Sequence, residues 1–586
     1  NRTFLNGDAG LTAVTAGAVA VAVPVSRVEM QPDVSTYVED AHVCVGDDVF
    51  IQTNNDSLAN SQGYAAGISA AGLEAIRVDA LAHPDVDTWI KGRETRIQAG
   101  NDVSVESSVT QNALVNATRG AVSGFALGSM NATADNSGST STRIGESAKL
   151  LVGNNLDIRS DASGESAIDV ISPTVSGAII EDNNVSAVAS FDTEARLGAT
   201  GVVVVGGNTT IESLSDRSAA TDVASIGVSG LTGATSNAQS IADGRNDAVL
   251  AGRLNSTSDL TVVASERNRT VTNADSFSVS GVTLSGLDSK TSAKPVVRAV
   301  LSAPVDATGD IAIMANADME TSASGRTIGV SAVTAGQANI KAESTPTVVA
   351  ELTGAAEVNT DGDISLLAEH SLGPVVAGEP VVTGFAAEVG LIGGYTGINL
   401  IAESIPTVAA HVGDGAEIIE ADDLEVKAQS ETQMSVVDEA FSLMGAIGIG
   451  GTNSAIHSGG NTSSNLGGII GKVDDVDVSA RNESVVNAGS TATSLAVVGA
   501  VPSGRAETSV DPHVQSTLTT DVYASGNVNM RTESVSDADS EVRYDSGALL
   551  AAVGNTEAHS SVSPVIETVV SSEVTGIVQT IVYDKL

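Results

Sequence analysis

The chain has 586 residues, of which 28 are basic and 72 acidic, so its formal net charge is -44. Such a surface repels nucleic acid and anionic membranes, and we expect neither as a partner. Hydrophobic residues make up 42% of the chain, which excludes general disorder, but only 2% are aromatic. The abundant Val, Thr, Ala, Ser and Gly favour closely stacked strands over helices. A single cysteine, Cys44, excludes an intramolecular disulfide framework and a cysteine-based zinc site.

The first element is the apolar stretch GLTAVTAGAVAVAVPVS, residues 10–26. It is too short for a membrane-spanning helix, is rich in small residues and contains a proline. We interpret it as a buried strand and expect no membrane insertion within the chain. No charged leader precedes it, so the sequence shows no signal peptide.

A turn followed by an alternating strand recurs along the whole chain, as in DDVFIQT, NDVSVES and DGDISLLAEH. The intervals between successive copies are 51 to 54 residues, apart from one of 60. A fixed period near this length is typical of stacked supersecondary units that cannot bury their apolar faces alone. The copies begin at Val49, Val103, Leu156, Thr209, Leu260, Ile311, Ile364, Leu424, Val476 and Val528.

A second marker, a proline that precedes a strand-like segment, keeps the same phase, as at Pro84 and Pro295. Proline suits the first residue of a strand because it has no N–H to donate. The same phase without proline gives GSTSTRIGE and FDTEARLGA. Pro406 lies 42 residues after Ile364 instead of 35 or 36. This repeat is therefore predicted to contain a loop insertion of about seven residues within 371–381.

These markers predict an all-β fold, an elongated parallel β-solenoid of about 53-residue repeats. About eleven repeats form one continuous array over residues 1–586. We expect one wide coil per repeat and a stack about 50 Å long, because the two halves of a repeat do not resemble each other. Two coils per repeat would give about 100 Å. The alternative is a string of small antiparallel β modules, although such short modules without a disulfide or metal have little core.

The phased pattern of an A-x-A strand, a GVSG stretch and a P-x-V-x-A strand resembles the repeats of giant bacterial surface proteins. It is most similar to the leukotoxin-like and filamentous-haemagglutinin-like adhesins, and the resemblance covers essentially the whole chain. It implies an exported, rod-like β-solenoid that projects from a cell and contacts surfaces or sister molecules. These families supply no catalytic residues to carry over.

The sequence carries no convincing catalytic motif. The stretch GGIIGKV lacks the first glycine and the final Ser or Thr of a phosphate-binding loop. The seven histidines lack metal-ligand spacing, and we expect them at solvated or edge positions. A polysaccharide-active β-helix enzyme would need converging acids and aromatic platforms, whereas the carboxylates here recur with the repeat. We therefore expect no enzyme, no catalytic residue and no cofactor.

The acidic turns are the feature of the repeat with the most potential for chemistry, such as binding a metal ion. Asp and Asn form turns by hydrogen-bonding to nearby backbone, and we favour this interpretation. A second interpretation is that stacked turns align carboxylates into a Ca²⁺ site, because Ca²⁺ takes several oxygen ligands. The calcium candidates are Asp47, Asp48, Asp310, Asp361, Asp363, Asp422, Asp423, Asp474 and Asp475.

The sequence thus favours a non-enzymatic structural or adhesive extracellular protein, a segment of a cell-surface stalk, fibre or adhesin. Its partners would be further copies of itself, head to tail or side by side, or components of cell surfaces and extracellular matrix. One alternative is a subunit of a self-assembling extracellular filament, because neither end carries a polar capping segment and open ladder edges can pair. The other is the polysaccharide-active enzyme.

Overall fold

The computed structural model describes residues 2–145, 147–198 and 202–585, which form strands joined by short turns. Every pairing among the described strands is parallel and joins a strand to its counterpart one repeat away. The prediction of an all-β parallel β-solenoid is confirmed, and the antiparallel alternative is wrong. No helix long and apolar enough to cross a membrane occurs in the described ranges.

Each repeat forms one wide coil. Val103 pairs with Leu156, and Leu156 pairs with Thr209, so the sequence markers lie in one column across the stack. Stacked at about 4.8 Å, eleven coils give a height of about 50 Å. The coils, numbered from the N terminus, are residues 2–48, 49–102, 103–155, 156–208, 209–259, 260–310, 311–363, 364–423, 424–475, 476–527 and 528–577.

A coil is a flattened loop with two walls that face each other. In coil 3 the outgoing wall runs from Val103 to a tip at Gly124, and the returning wall leads back to Ile144. The amide of Asn136 on the returning wall donates a hydrogen bond to the carbonyl of Gln111 on the outgoing wall at 2.7 Å. The outgoing wall is about 65 Å long, and facing walls lie about 10 Å apart. A short strand and a turn form the base, which closes the loop.

The proline markers form one column at a kink in the returning wall. Pro84 lies beside Gly138 of the next coil, and the N–H of Ser139 donates to the Pro84 carbonyl at 3.0 Å. Glycine occupies this column at Gly138, Gly244 and Gly460, with φ of +153°, +124° and +100°. Such angles are rarely adopted by residues with a Cβ, so these kinks use glycine. Most of the other coils have proline in this column, and coil 4 has Phe191.

The half of the coil near the base has a mainly apolar interior. Ile311 stacks on Ile364, and Ile313 stacks on Leu366 in the next coil. All four side chains are buried. Like side chains repeat along the stack at the coil spacing, and this regular packing closes the core although aromatic residues are few.

The predicted insertion divides into two parts. Thr321 pairs with Pro374 and Ala323 with Val382, so six extra residues leave the outgoing wall as an exposed loop. The seventh extra residue lies at the tip, where the register shifts between Gly390 and Gly393. The coils that follow keep this longer tip.

The strand bounds follow chain order. Coils 1 to 4 contain Arg2–Ala22, Val25–Met30, Asp33–Glu39, His42–Val45, Val49–Ala82, Asp85–Lys91, Arg96–Ala99, Val103–Ile144, Lys149–Val152, Leu156–Leu197 and Val203–Val205. Coils 5 to 8 contain Thr209–Leu250, Leu254–Thr257, Leu260–Val279, Val282–Leu301, Val305–Ala307, Ile311–Ser344, Thr347–Leu352, Glu357–Asn359, Ile364–Pro374, Val382–Ser404, Thr407–Val412 and Glu417–Glu420. The remaining strands are Leu424–Met444, Ile447–Ser458, Asn461–Leu466, Ile469–Val473, Val476–Ala496, Gly499–Val510, His513–Leu518, Val522–Ala548, Ala551–Ala552, Asn555–Val562, Val565–Val570 and Val574–Lys585.

Candidate interaction surface

The corner at the base carries a column of Asp and Asn residues that links successive coils. The N–H of Asp310 donates to Oδ1 of Asp259 at 3.1 Å, and the N–H of Asn208 donates to Oδ1 of Asn155 at 3.0 Å. Asn serves as well as Asp because the contact needs only an acceptor oxygen. We call this set the corner column; its members are Asp48, Asp102, Asn155, Asn208, Asp259, Asp310, Asp363, Asp423, Asp475 and Asn527.

The calcium candidates are distributed over neighbouring columns of this corner. Among the described residues, no group of three or more His, Cys, Asp or Glu side chains is arranged to hold a metal ion. Calcium binding stays a prediction, while the hydrogen bonds to the next coil show what the Oδ1 atoms of the corner column do. Asp48, Asp310, Asp363, Asp423 and Asp475 belong to that column, Asp47, Asp422 and Asp474 precede it by one residue, and Asp361 precedes it by two.

Ion pairs cross between coils on the outer faces of the walls. Arg159 lies 3.1 Å from Glu212, and Lys341 lies 2.9 Å from Glu403, with each acid one coil further along. These side chains are partly exposed, and such pairs contribute little to stability individually. Their main effect is that the outer faces of the walls carry a polar surface of both charge signs, which recurs from coil to coil along the stack.

The alternation of polar and apolar residues inverts towards the tip. In coil 7, the inward side chain near the base is Ile313 and the outward one is Asn316. Near the tip, the inward side chain is Thr327, whereas Val330 faces outward and is 38% exposed. The apolar side of the sheet therefore faces solvent at the tip, the reverse of its arrangement near the base.

Four outward columns beside the tip, occupied in coil 6 by Phe277, Val279, Val282 and Leu284, form what we call the apolar ridge. Two lie on the outgoing wall and two on the returning wall, and the described part of coils 1 to 10 places no charged residue in them. Large exposed apolar patches on proteins are typical of interaction sites. Its exposed members include Ile68, Leu73, Val122, Phe125, Val175, Ile180, Ile226, Val228, Leu231, Phe277, Leu284, Val330, Val333, Val389, Tyr395, Leu443, Ile447, Ile449, Leu495 and Val501.

Beneath the apolar ridge, the interior of the tip holds buried charges. Arg119 lies 2.5 Å from Glu181 of the next coil, and both side chains are 1% exposed. Burial raises the pKa of Glu74 in the preceding coil, and the Arg119 guanidinium opposes this shift. The guanidinium passes through the space beside Gly128, where a Cβ would collide with it.

Two further acids lie in the tip interior of later coils. Burial raises the pKa of Glu388 to about 8, and the nearby Thr334 hydroxyl offsets only part of this effect. Burial raises the pKa of Asp438 to about 6, against the hydrogen bond that Ser454 donates to it. Neither acid was predicted from the sequence, although strict alternation from the buried Val382 places Glu388 on the inward side of its strand.

Ionisable groups also occur in the interior nearer the base. Arg217 lies 2.5 Å from Glu266 with both side chains fully buried, and its guanidinium lies 4.9 Å from the centre of the Phe191 ring. Burial raises the pKa of Glu266 to about 7 although Arg217 opposes the shift. Burial lowers the pKa of His370 to about 3, and its Nδ1 lies 3.1 Å from Ser430 Oγ. The expectation of a solvated or edge position is wrong for His370, because it lies on the inward side of its strand.

The fold and this surface define a parallel β-solenoid with one wide coil per repeat, a polar tip interior and an apolar ridge. Comparison of the chain with protein-family models, with curated proteins and with solved structures finds no match in any of the three. The resemblance to adhesin repeats therefore stays a prediction from the sequence pattern.

Proposed function

We propose that this chain is a non-enzymatic structural segment of an extracellular surface protein, where its β-solenoid forms part of a stalk, fibre or adhesin. The observation that carries the proposal is the coil-to-coil register, which stacks the same corner and the same walls through the coils. Each coil contacts its immediate neighbours, so the array extends in one dimension and repeats one surface many times. Such a molecule is suited to presenting a repeated face.

The extracellular location is supported by the sequence pattern and by composition. The repeats resemble those of exported bacterial adhesins, and the single Cys44 leaves the fold independent of disulfide formation. A net charge of -44 favours solubility at an exposed surface.

Surface labelling tests the location. Antibodies raised against the purified chain should bind intact source cells, with a cytoplasmic protein of the same cells as the control for lysis. Labelling that appears only after the cells are broken would contradict the proposal.

A degradation assay tests the structural role against the enzymatic alternative. The purified chain should release no reducing ends from a panel of neutral and acidic polysaccharides, whereas a known β-helix lyase run in parallel should. Catalytic release by the chain that survives repurification would overturn the structural assignment.

A further inference from the structure

We propose that the apolar ridge is a self-association surface that binds the ridge of a second copy of this chain. The inference goes beyond the structural role and does not depend on it, since two copies could pair in this way whatever the protein does. It rests on the polarity of the tip, the size of the ridge, the position of the charges and the spacing of the coils.

The distribution of apolar and polar residues at the tip indicates that the outer face is the one covered by a partner. Successive residues of a strand point to opposite faces, so a strand places its apolar set on the side that is buried. At the tip of coil 5, Val228 and Leu231 face outward with 40% and 45% exposure, whereas Ser225 and Thr232 lie inside. The neighbouring coils follow the same pattern, so the sequence preserves an apolar outer face at the expense of an apolar interior.

The size of the ridge fits a stable contact between two proteins. The ridge runs the height of the stack, about 50 Å, and is about 15 Å across when the two walls and their outward side chains are included. A flat contact of this size covers about 750 Å² on each copy. Specific protein–protein interfaces cover about 800 Å² on each partner.

The acidic corners permit a second copy to approach ridge to ridge. The corner column lies at the opposite end of the walls, about 65 Å from the tip, whereas the Debye length at physiological salt is about 8 Å. Two copies joined by their ridges would keep their acidic corners apart and screened.

The coil spacing gives the two ridges matching surfaces. Val122, Val175 and Val228 occupy one column of the ridge in successive coils. A second copy carries the same column at the same spacing of about 4.8 Å, so side chains of one ridge can interdigitate with those of the other. A two-fold dimer of this kind uses the same patch on both copies, which is the commonest arrangement of homodimers.

Sedimentation equilibrium of the full chain tests the proposal. Reductant is included because Cys44 is exposed and could link copies by a disulfide. The wild-type chain should have twice its monomer mass at micromolar concentration. The ridge variant Val228→Asp with Leu284→Asp should dimerise at least about 100-fold more weakly, because it places unpaired charges in an apolar contact.

The matched control is Leu214→Asp with Val263→Asp. These residues lie in the same two coils as the ridge substitutions and also face outward, but they lie on the outgoing wall far from the tip. The control should dimerise within about threefold of the wild type. Circular dichroism and thermal melting should show both variants folded, since all four substitutions are on the outer face.

A pyrene label checks that the ridges themselves meet. Val282 lies in the ridge of coil 6, the middle coil, so it approaches its own counterpart in either orientation of a two-fold dimer. Val282→Cys in a Cys44→Ser background, labelled with pyrene, should give excimer emission that the ridge variant abolishes. A dimer that gives no excimer emission would contradict a ridge contact.

Three further results would overturn the proposal. The first is a wild-type chain that stays monomeric at about 100 μM, because stable interfaces of about this size have dissociation constants in the micromolar range or below. The second is equal weakening in the control variant. The third is a monomer that binds phosphatidylcholine vesicles in a ridge-dependent manner, which would assign the ridge to lipid.

Discussion

The backbone N–H of Asp363 donates a hydrogen bond to Oδ1 of Asp310, which occupies the same corner one coil earlier, at 3.0 Å. Asp423 repeats this contact with Asp363 at 3.1 Å. Each member between Asp48 and Asn527, the two ends of the corner column, thus accepts from one neighbour and donates to the other. The carboxylate charge is not needed for this role, because Asn155 and Asn208 perform it in coils 3 and 4.

We expect Asp310→Ala to lower the free energy of unfolding by about 1 kcal/mol, because the N–H of Asp363 loses its acceptor. Asp310→Asn should change it by only a few tenths of a kcal/mol, because the acceptor oxygen remains. Urea denaturation followed by circular dichroism measures both. Asp361→Ala, an exposed residue of the same corner outside the corner column, is the control and should have little effect.

Adding calcium tests the second interpretation of these acids, that they form a Ca²⁺ site. The melting temperature of the wild-type chain should be the same in millimolar Ca²⁺ and in EDTA, because the Oδ1 atoms already accept backbone hydrogen bonds. A rise in melting temperature with Ca²⁺ that Asp310→Asn removes would instead assign a calcium site to the corner.

We expect Glu388→Gln to stabilise the chain at pH 9 and to have little effect at pH 4. The folded pKa of Glu388, about 8, lies above the ordinary value of 4.5, so folding favours the protonated acid. Stability from this group is therefore fully present below pH 4.5 and is lost as pH rises through 8. The gain at pH 9 should be roughly 3 to 5 kcal/mol, since one pKa unit is worth about 1.4 kcal/mol. Glu369→Gln, on the outer face of the same coil, should show no such pH dependence.

We expect Arg217→Met to lower the free energy of unfolding by about 3 to 5 kcal/mol at pH 8, because it leaves the buried Glu266 without its cation. The loss should be smaller at pH 5, since Glu266, with a pKa of about 7, is then protonated. Adding Glu266→Leu should recover much of the stability. Arg267→Met removes an exposed pair with Glu320 in the next coil and should cost less than about 0.5 kcal/mol.

We expect deletion of residues 375–380 to leave the fold intact, because these residues form the exposed loop between the paired Pro374 and Val382. The melting temperature should fall by only a few degrees, since shortening a surface loop changes little closure entropy. Deletion of 427–432, six residues inside the outgoing wall of coil 9, should prevent cooperative unfolding. Equal damage from both deletions would show that the loop supports the stack.

The repeat could be predicted from the sequence because parallel stacking places equivalent residues on top of one another. Pro84 and Pro295 occupy equivalent backbone positions in their coils. The same residue type therefore recurs at the same phase of the repeat. The position of the insertion could be predicted only in part. The extra spacing before Pro406 is the sum of the exposed loop and the extra residue at the tip. Only the loop contains prolines, so only its position is indicated by the sequence.

The path of the chain within a coil could not be predicted, because strict alternation continues through the tip without a break. The stretches GVSG and GVTLSG lie at the tip. From the sequence alone they are indistinguishable from other Gly-rich strands, because the sequence does not show which wall they face. Buried Glu388 and Arg119 were missed for a related reason. Charged residues are ordinarily assigned to the surface, whereas the tip interior accommodates them beside glycines such as Gly329 and Gly128.

The flattened coil has a mechanical consequence. With walls about 65 Å long and about 10 Å apart, the stack has the cross-section of a plank. The bending stiffness of a long beam increases with the cube of its depth in the direction of bending, so an array of many such coils would resist bending in the plane of its walls far more than across them. The apolar ridge runs along one narrow edge of this plank. Joining two such edges would increase the depth of the beam in the plane of its walls, where it is already stiffer. Bending across the walls would stay easy.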